Sequence, residues 1–452
     1  MNSNSFYISR RRFLKTSAAL AAASGLPHWF IDREMAEAAP APKPLGPNDK
    51  PGIALVGCGG QGTGDCGAAK RFGNVVAVCD VDDKHAEAAA KKFTAEGKEP
   101  PVKYNDFRKV MERDDVHVII TGTPDHWHTL VNLAAIKAGK DIYSEKPLTL
   151  CIDEGKRLVK AVKDHKTVFQ VGSQQRSDRN FRLACELVRN GRIGKLQHII
   201  VGLPTGPREG PFSPIPVPPE MNWDFYVGQT PKVEFNGHNH HWNFRWWYQF
   251  SGGNMTDWGA HHNDIAQWGN GTERSGPLEV SGKSLQKMIP GGYDAASKYH
   301  IDFKYANGVT MTVVDENTLT DRNVVGEGKT TPNGIQFLGP DGWIFVTRGK
   351  ITASKQELLT DPLPDSATRL YKSNDHMGNF FECVRSRKAP ICEAEIGHRS
   401  ISVAHLGVIS ARLELPLKWD PENEVFVGEN AKEGNKWVAR EMRKPYDYSF
   451  IS

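Results

Sequence analysis

The stretch GIALVGCGGQGTGD, residues 52–65, constrains the fold more than any other part of the chain. A continuous apolar run breaks into closely spaced glycines, and the residues beyond them, GDCGAAKRF, suit a helix. A buried strand that turns through glycine into a helix is the first half of a βαβ unit. The alternation then continues through strand NVVAVCDVD, helix DKHAEAAAKKF, strand VHVIITGTP, helix HTLVNLAAIKAG, strand DIYSEKP, helix IDEGKRLVKAVKDH and strand TVFQVGSQ. Such alternation predicts a parallel sheet covered by helices on both faces, with right-handed crossovers.

The glycines Gly57, Gly59 and Gly62 fit G-x-G-x-x-G, and Gly60 and Gln61 complete the turn. Alone the pattern is weak, and a doubly wound domain without nucleotide is the plain alternative. Its context adds chemistry. Gly59 lets backbone approach a pyrophosphate, whose charge the amides of a helix N-terminus stabilise. Asp80 ends the next strand 18 residues beyond Gly62, where a carboxylate accepts hydrogen bonds from an adenosine ribose. Asp80 and Asp82 would repel a 2′-phosphate and no arginine stands by to hold one, which favours NAD over NADP.

After about residue 195 the pattern changes. LQHIIVGL starts a strand, an irregular Pro-rich stretch runs from Pro204 to Pro231, and the later strands come as hairpins. YHIDFKYANGVTMTVVD turns at Asn307 and Gly308, and GIQFLGPDGWIFVTRG turns around Pro340 to Gly342. Helical patterns return in HMGNFFECVRS and GHRSISVAHLGVISARL. The expected organisation is a signal over 1–38, a linker over 39–51, a parallel-sheet domain over 52–172 and an α+β domain over 173–452, with a mainly antiparallel sheet.

The N-terminus carries an address. SRRRFLK precedes an Ala-rich, weakly apolar run, and small residues at Ala36 and Ala38 suit a signal peptidase. This resembles a twin-arginine export signal, so the expectation is a soluble protein outside the cytoplasm, delivered by the twin-arginine machinery. The formal net charge is +4, and residues 1–38, with five Lys or Arg against three Asp or Glu, supply half of it. A near-neutral remainder argues against nucleic acid as a partner. Seven cysteines in a chain that folds before export read as free, buried thiols, with Cys383 and Cys392 the one candidate pair.

Two segments, TGTPDHWH and YSEKPLTL, end predicted strands, at the sheet edge where ligands bind. A lysine at position 146 would lie near a nicotinamide, and Pro147 suits a cis turn. Further on, TDWGAHHNDIAQW reads as an amphipathic helix that sets Asp257 and His261 one turn apart on one face. His262 lies about 100° round from His261 and points to another element or to solvent. Asp264 offers a second contact to a substrate hydroxyl. A metal reading would draw on His261, Asp264 and His238 to His241, but no tight ligand spacing supports it, so no metal is expected. In HHWNFRWWYQFSGG, Asn243, Arg245 and Trp246 are candidates to bind and stack on a sugar, against the alternative that the aromatics fill a core or an interface. Gln174 and Arg176, in GSQQR, are further substrate-side candidates.

The combination GCGGQG, TPDHWH, EKP and GGNMTDWGAHHND resembles the Gfo/Idh/MocA family of NAD(P)-dependent sugar and cyclitol oxidoreductases over nearly all of residues 51–415. The resemblance implies an α/β Rossmann domain followed by an α+β domain with an open, mainly antiparallel sheet, substrate lying between nicotinamide and sheet. By it, Lys146 matches the family's catalytic lysine, and Asp257 and His261 its Asp-x-x-x-His pair. His128 and Glu145 match positions flanking the cofactor, and Thr123 and Pro124 join the cofactor side. It also leans toward a homo-oligomer.

Oxidising a secondary alcohol requires a base for the hydroxyl proton and an acceptor for the hydride. His261 is the expected base, with Lys146, its pKa lowered by burial and by a cationic nicotinamide, as the alternative. An exported dehydrogenase has no evident NAD pool to exchange with, so the cofactor is expected to be tightly bound. The expectation is therefore an exported oxidoreductase acting on a sugar, glycoside or cyclitol. A redox-assisted glycoside hydrolase or lyase and a non-catalytic carbohydrate-binding protein are its rivals.

Overall fold

The structure, a computed structural model, describes residues 10–37, 50–316 and 333–451. Two helices come first, α1 (Arg10–Ser24) and α2 (His28–Ala36). The alternating region follows as β1 (Gly52–Val56), α3 (Gly60–Ala69), β2 (Asn74–Cys79), α4 (Asp83–Phe93), β3 (Val102–Tyr104), α5 (Phe107–Met111), β4 (Val118–Thr121), α6 (Asp125–Lys137), β5 (Asp141–Ser144), α7 (Ile152–His165) and β6 (Phe169–Val171). The six strands form one parallel sheet in the order β3-β2-β1-β4-β5-β6. Chain direction reverses its sideways progress between β1 and β4, and a cleft opens at the C-terminal edge there. β1 and β4 are buried throughout, as near-continuous apolar runs in a doubly covered sheet must be. β3 has no such run, because Val102 and Lys103 are exposed on an edge strand, and the sequence pattern gives no sign of it.

Three glycines set how closely the first layer packs. A Cβ on Gly62 would lie 2.2 Å from the Gly57 carbonyl oxygen, and one on Gly122, just after β4, would lie 2.4 Å from Gly62 Cα. Gly57 itself has φ +90°, a conformation other residues rarely adopt.

After α8 (Arg179–Arg189), a nine-stranded mixed sheet takes over. Its strands are β7 (His198–Leu203), β8 (Glu279–Ser284), β9 (Tyr299–Lys304), β10 (Thr310–Asp315), β11 (Gly334–Gly339), β12 (Gly342–Thr347), β13 (Lys350–Ala353), β14 (Leu417–Asp420) and β15 (Val425–Val427). The order is β13-β12-β11-β7-β10-β9-β8-β14-β15, antiparallel except where β7 runs parallel to β10. Both expected hairpins form, β9 with β10 and β11 with β12. The helices His376–Ser386 and Ala394–Leu413 also form, and α11 (Gly259–Asn270) packs against the latter on one face of this sheet. Between β7 and β8 the Pro-rich stretch is irregular apart from α9 (Trp223–Val227), and α10 (Asn254–Asp257) directly precedes α11.

One expectation is corrected. TDWGAHHNDIAQW is not an amphipathic helix, since every residue from Gly259 to Gly269 is buried between the sheet and neighbouring helices. The expected free, buried thiols are found, since all seven cysteines are unpaired and buried, the candidate pair Cys383 and Cys392 among them. Leu26, Phe30 and Ile31 belong to the main hydrophobic core, while Ala38 and the linker as far as residue 49 lie outside the described residues.

Candidate active site

A cavity of about 1100 Å³ lies along the C-terminal edge of the parallel sheet and extends to the residues after β12 of the second. At one end α3 begins. Its N-cap Gly59 is extended, with no heavy atom within 4 Å of where a Cβ would be, so backbone amides of the first helical turn meet open space. Asp80, just past β2, is held in this wall. Its carboxylate accepts the Cys58 N–H at 2.7 Å and the Asp82 N–H at 2.9 Å. Thr123 and Pro124 form the opposite lip, and Thr123 Oγ1 is buried without a hydrogen bond. An open anion cradle, a carboxylate at the next strand end and an orphaned hydroxyl together fit a dinucleotide.

At the other end the sheet delivers Glu145 and Lys146 from just beyond β5. The Lys146–Pro147 peptide is cis. His128, on α6, ties this turn to the Thr123 lip, with Nδ1 2.7 Å from the Pro147 carbonyl and Nε2 2.8 Å from that of Thr123. Burial, aided by Lys146, pushes its pKa down to about 4, so the neutral ring donates to only one of the two. It positions the turn from behind the cavity wall rather than lining it.

Lys146 Nζ pairs with Asp257 Oδ1, and Arg245 donates to Asp257 Oδ2 at 2.5 Å. One buried carboxylate thus serves two cations, one from each domain. Burial works against the Lys146 charge, but Asp257, Glu145 and Asp125 outweigh it and hold the ammonium above its ordinary range. The chain's own carboxylates thus oppose the fall in pKa that burial and a cationic nicotinamide would cause. Asp257 is held low because the two cations overcome its burial. His261 also lines the cavity, and its Nδ1 is buried without a hydrogen bond. Burial first, then Lys146 and Arg348, keep this imidazole neutral far below the usual histidine pKa.

Glu145 accepts from Gln174 at 2.8 Å and from Gln61 at 3.3 Å. Burial raises its pKa, and burial with the Glu145 charge also raises that of Asp65, so the two carboxyls hold a proton between them.

Four candidates are not brought to the cavity. Arg176 and Asp264 form a doubly hydrogen-bonded pair at 2.6 and 2.8 Å, with side chains 2% and 1% exposed, and Ser400 donates to Asp264 as well. Both side chains are buried in the core, so the expectation of substrate contacts from them is replaced by a structural pair. Asn243 and Trp246 do not line the cavity either, because the short helix His241–Trp246 turns them away while presenting Trp242, Phe244 and Arg245. His262 is fully buried, between Gln175 at 3.2 Å and Asn333 at 2.5 Å.

Several wall residues carry no sequence motif. Arg348 follows β12, lies over the Trp258 ring at 4.7 Å and faces the cavity. His241 reaches across from the second domain and meets Asp82 at 3.1 Å and the His85 ring at 4.3 Å, beside Asp80. Donor atoms of Asp82, His85 and His241 lie within 4.8 Å of one another, a grouping different from the His261, Asp264 and His238–His241 set read from sequence. The histidine run HNHH was the available hint, but its partners sit more than 150 residues away in the chain.

Three family models match. The NAD-binding Rossmann fold of the oxidoreductase family covers residues 52–173, its C-terminal alpha/beta domain covers 208–448, and a twin-arginine translocation pathway signal covers 8–27. Among curated relatives, a glycosyl hydrolase family 109 protein of Shewanella pealeana is 27% identical over 42% of this chain and 45% of its own length. An inositol 2-dehydrogenase of Salmonella paratyphi B is 33% identical over 27% of this chain and 35% of its own. These first relatives are thus matched over less than half their length. The scyllo-inositol 2-dehydrogenase (NAD(+)) of Bacillus subtilis is 27% identical over 70% of this chain and 81% of its own. A levoglucosan dehydrogenase solved with NADH and levoglucosan has the same fold, with a TM-score of 0.60 at 18% identity over 82% of this chain and 99% of that one. No helix among the described residues is long and apolar enough to cross a membrane. With an NAD-binding Rossmann domain, its partner alpha/beta domain and an export signal in one sequence, the chain is an exported member of the Gfo/Idh/MocA oxidoreductase family.

Proposed function

We propose that this protein transfers a hydride between a tightly bound NAD and a secondary alcohol of a sugar, glycoside or cyclitol. The observation that carries the reading is the buried constellation of Lys146, Asp257, Arg245 and a neutral, unpaired His261 on one wall of the dinucleotide-sized cavity. When bound, NAD supplies the hydride acceptor. The residues of the chain supply the rest. Gly57, Gly59, Gly60, Gln61 and Gly62 with Asp80, Thr123 and Pro124 hold the cofactor, Glu145 and Gln174 line the path between, and His128 fixes the turn that bears Lys146.

Lys146, already an ammonium, donates to the substrate oxygen and stabilises negative charge developing on it. It has no free lone pair, so the hydroxyl proton goes to His261, whose neutral imidazole does. Asp257 keeps Lys146 charged and aimed, and Arg245, stacked over Trp242 at 3.7 Å, fixes Asp257 from the other side. Arg348 and Trp242 replace Arg176, Asp264, Asn243 and Trp246 as the substrate-facing candidates.

A second reading is supported by the similarity to the glycosyl hydrolase family 109 protein. In that reading a keto group formed by the same residues would acidify the neighbouring C–H, the alcohol would leave by elimination, water would add to the double bond left behind, and the carbonyl would be reduced again. Both readings agree with export when the hydride leaves again at the same site, to the carbonyl of a second sugar in the first reading and to the original substrate carbon in the second.

The test is to denature the purified protein and assay the released nicotinamide, then to incubate native protein with a panel of sugars, glycosides and cyclitols. Bound-cofactor absorbance and products are followed together. One nicotinamide per chain is expected, with turnover reduced about 1,000-fold or more in Lys146→Met and about 100-fold in His261→Gln. Protein lacking nicotinamide, or turnover unchanged in Lys146→Met, would sink the proposal. Cleaved glycoside without net NADH selects the second reading.

A further inference from the structure

The helix α2 begins one residue beyond the end of the twin-arginine match, and it is built into the folded domain. Leu26, Phe30 and Ile31 are 5%, 2% and 1% exposed and belong to the main core. Trp29 Nε1 donates to the Leu359 carbonyl at 3.0 Å, and the Arg182 guanidinium lies 5.1 Å from the centre of the Phe30 ring. Glu34 is buried among cations, 2.8 Å from Arg182 on α8 and 3.2 Å from Lys372, and Asn374 donates to it at 3.1 Å. Arg182 is itself 5% exposed, so without Glu34 it would keep only Glu186, at 3.6 Å, for a carboxylate in the ion pairs among the described residues.

We infer that residues 24–37 stay on the exported protein and that signal peptidase acts at the Ala23–Ser24 bond rather than after Ala38. Twin-arginine substrates cross the membrane folded, so the peptidase meets α2 already docked. The enzyme reads small residues one and three positions before the cut, on an extended chain. Extending the chain through Ala36 would unwind the last turn of a helix whose Glu34 and Ile31 are buried. Ala21 and Ala23 offer the same small-x-small pattern in the last turn of α1, where Ala22 and Ala23 are exposed and Gly25 ends the helix with φ +66°. Water adds across the Ala23–Ser24 peptide, leaving the Ala23 carboxylate on the signal and the Ser24 amine on the retained chain.

The full chain is expressed in a host with an active twin-arginine pathway, and the exported protein is examined by intact mass and N-terminal sequencing. Ser24 is expected as the first residue. Ala38→Leu should change nothing, while Ala23→Leu should abolish or shift processing. A first residue at Ala39, or an unprocessed Met1, overturns the inference. A second readout does not depend on processing variants. Glu34→Gln in the exported protein should lower the melting midpoint by about 5 °C. An unchanged midpoint would mean that α2 has left, and would also overturn it.

Discussion

Asp257 illustrates how much a single carboxylate can decide. It keeps Lys146 cationic against its partial burial, it engages Arg245 from the second domain, and by fixing that charge it leaves His261 the only neutral base among the four. The pH profile follows from these directions. His261, with its pKa depressed, stays unprotonated as pH falls below 6.5, and Lys146, with its pKa raised, stays protonated past 10.5. Turnover of a saturating sugar substrate should therefore be flat across neutral pH, and an acid limb near 6.5 would count against His261 as base. Arg176 belongs at this scale too. Arg176→Met leaves Asp264 buried with Ser400 as its remaining side-chain donor, and should cost about 3–5 kcal/mol of stability with little effect on the KM of what remains folded. Chemical denaturation and kinetics together check this, and a raised KM without destabilisation would restore the substrate role. The sequence marked Arg176 and Asp264 by type, but residues 88 positions apart reveal their pairing only once α11 and the segment before α8 are packed.

The strand–turn–helix elements were the most legible part of the chain, because period and glycine spacing are local properties. G-x-G-x-x-G marks Gly57 and Gly62, and the structure adds that both crowd a third glycine, Gly122, just past β4, the strand beside β1 in the sheet. Gly122→Ala would force α3 away from β4 by more than a side-chain adjustment, since the obstacle is Gly62 Cα at 2.4 Å. The expected result is a loss of about 1–3 kcal/mol and of most bound nicotinamide, measured by denaturant midpoint and by cofactor assay. Retention of both would show that the close approach is dispensable. The helix α11 was legible as a helix but not as a buried one. Its histidines, asparagine and aspartate look like a solvent face, and only their partners, among them Gln175, Asn333, Arg176 and Ser400, show that they are interior.

At the scale of the whole molecule, the cavity is a joint product of two sheets. Asp80 and Lys146 sit at the edge of one, and Arg245, His261 and Arg348 come from the domain built on the other. Family membership, cofactor class and export were determined by the sequence itself, because glycine turns, a strand-end aspartate, EKP and a basic-apolar signal act through neighbours a few residues apart. Tertiary structure decided the rest. It put Arg176 with Asp264, turned Asn243 and Trp246 away, brought Arg348 and His241 to the wall, kept Lys146 charged and drew α2 into the core. Each of these depends on burial and on charges distant in sequence, and desolvation and Coulomb energy are set by what surrounds a group in space, not by what precedes it in the chain.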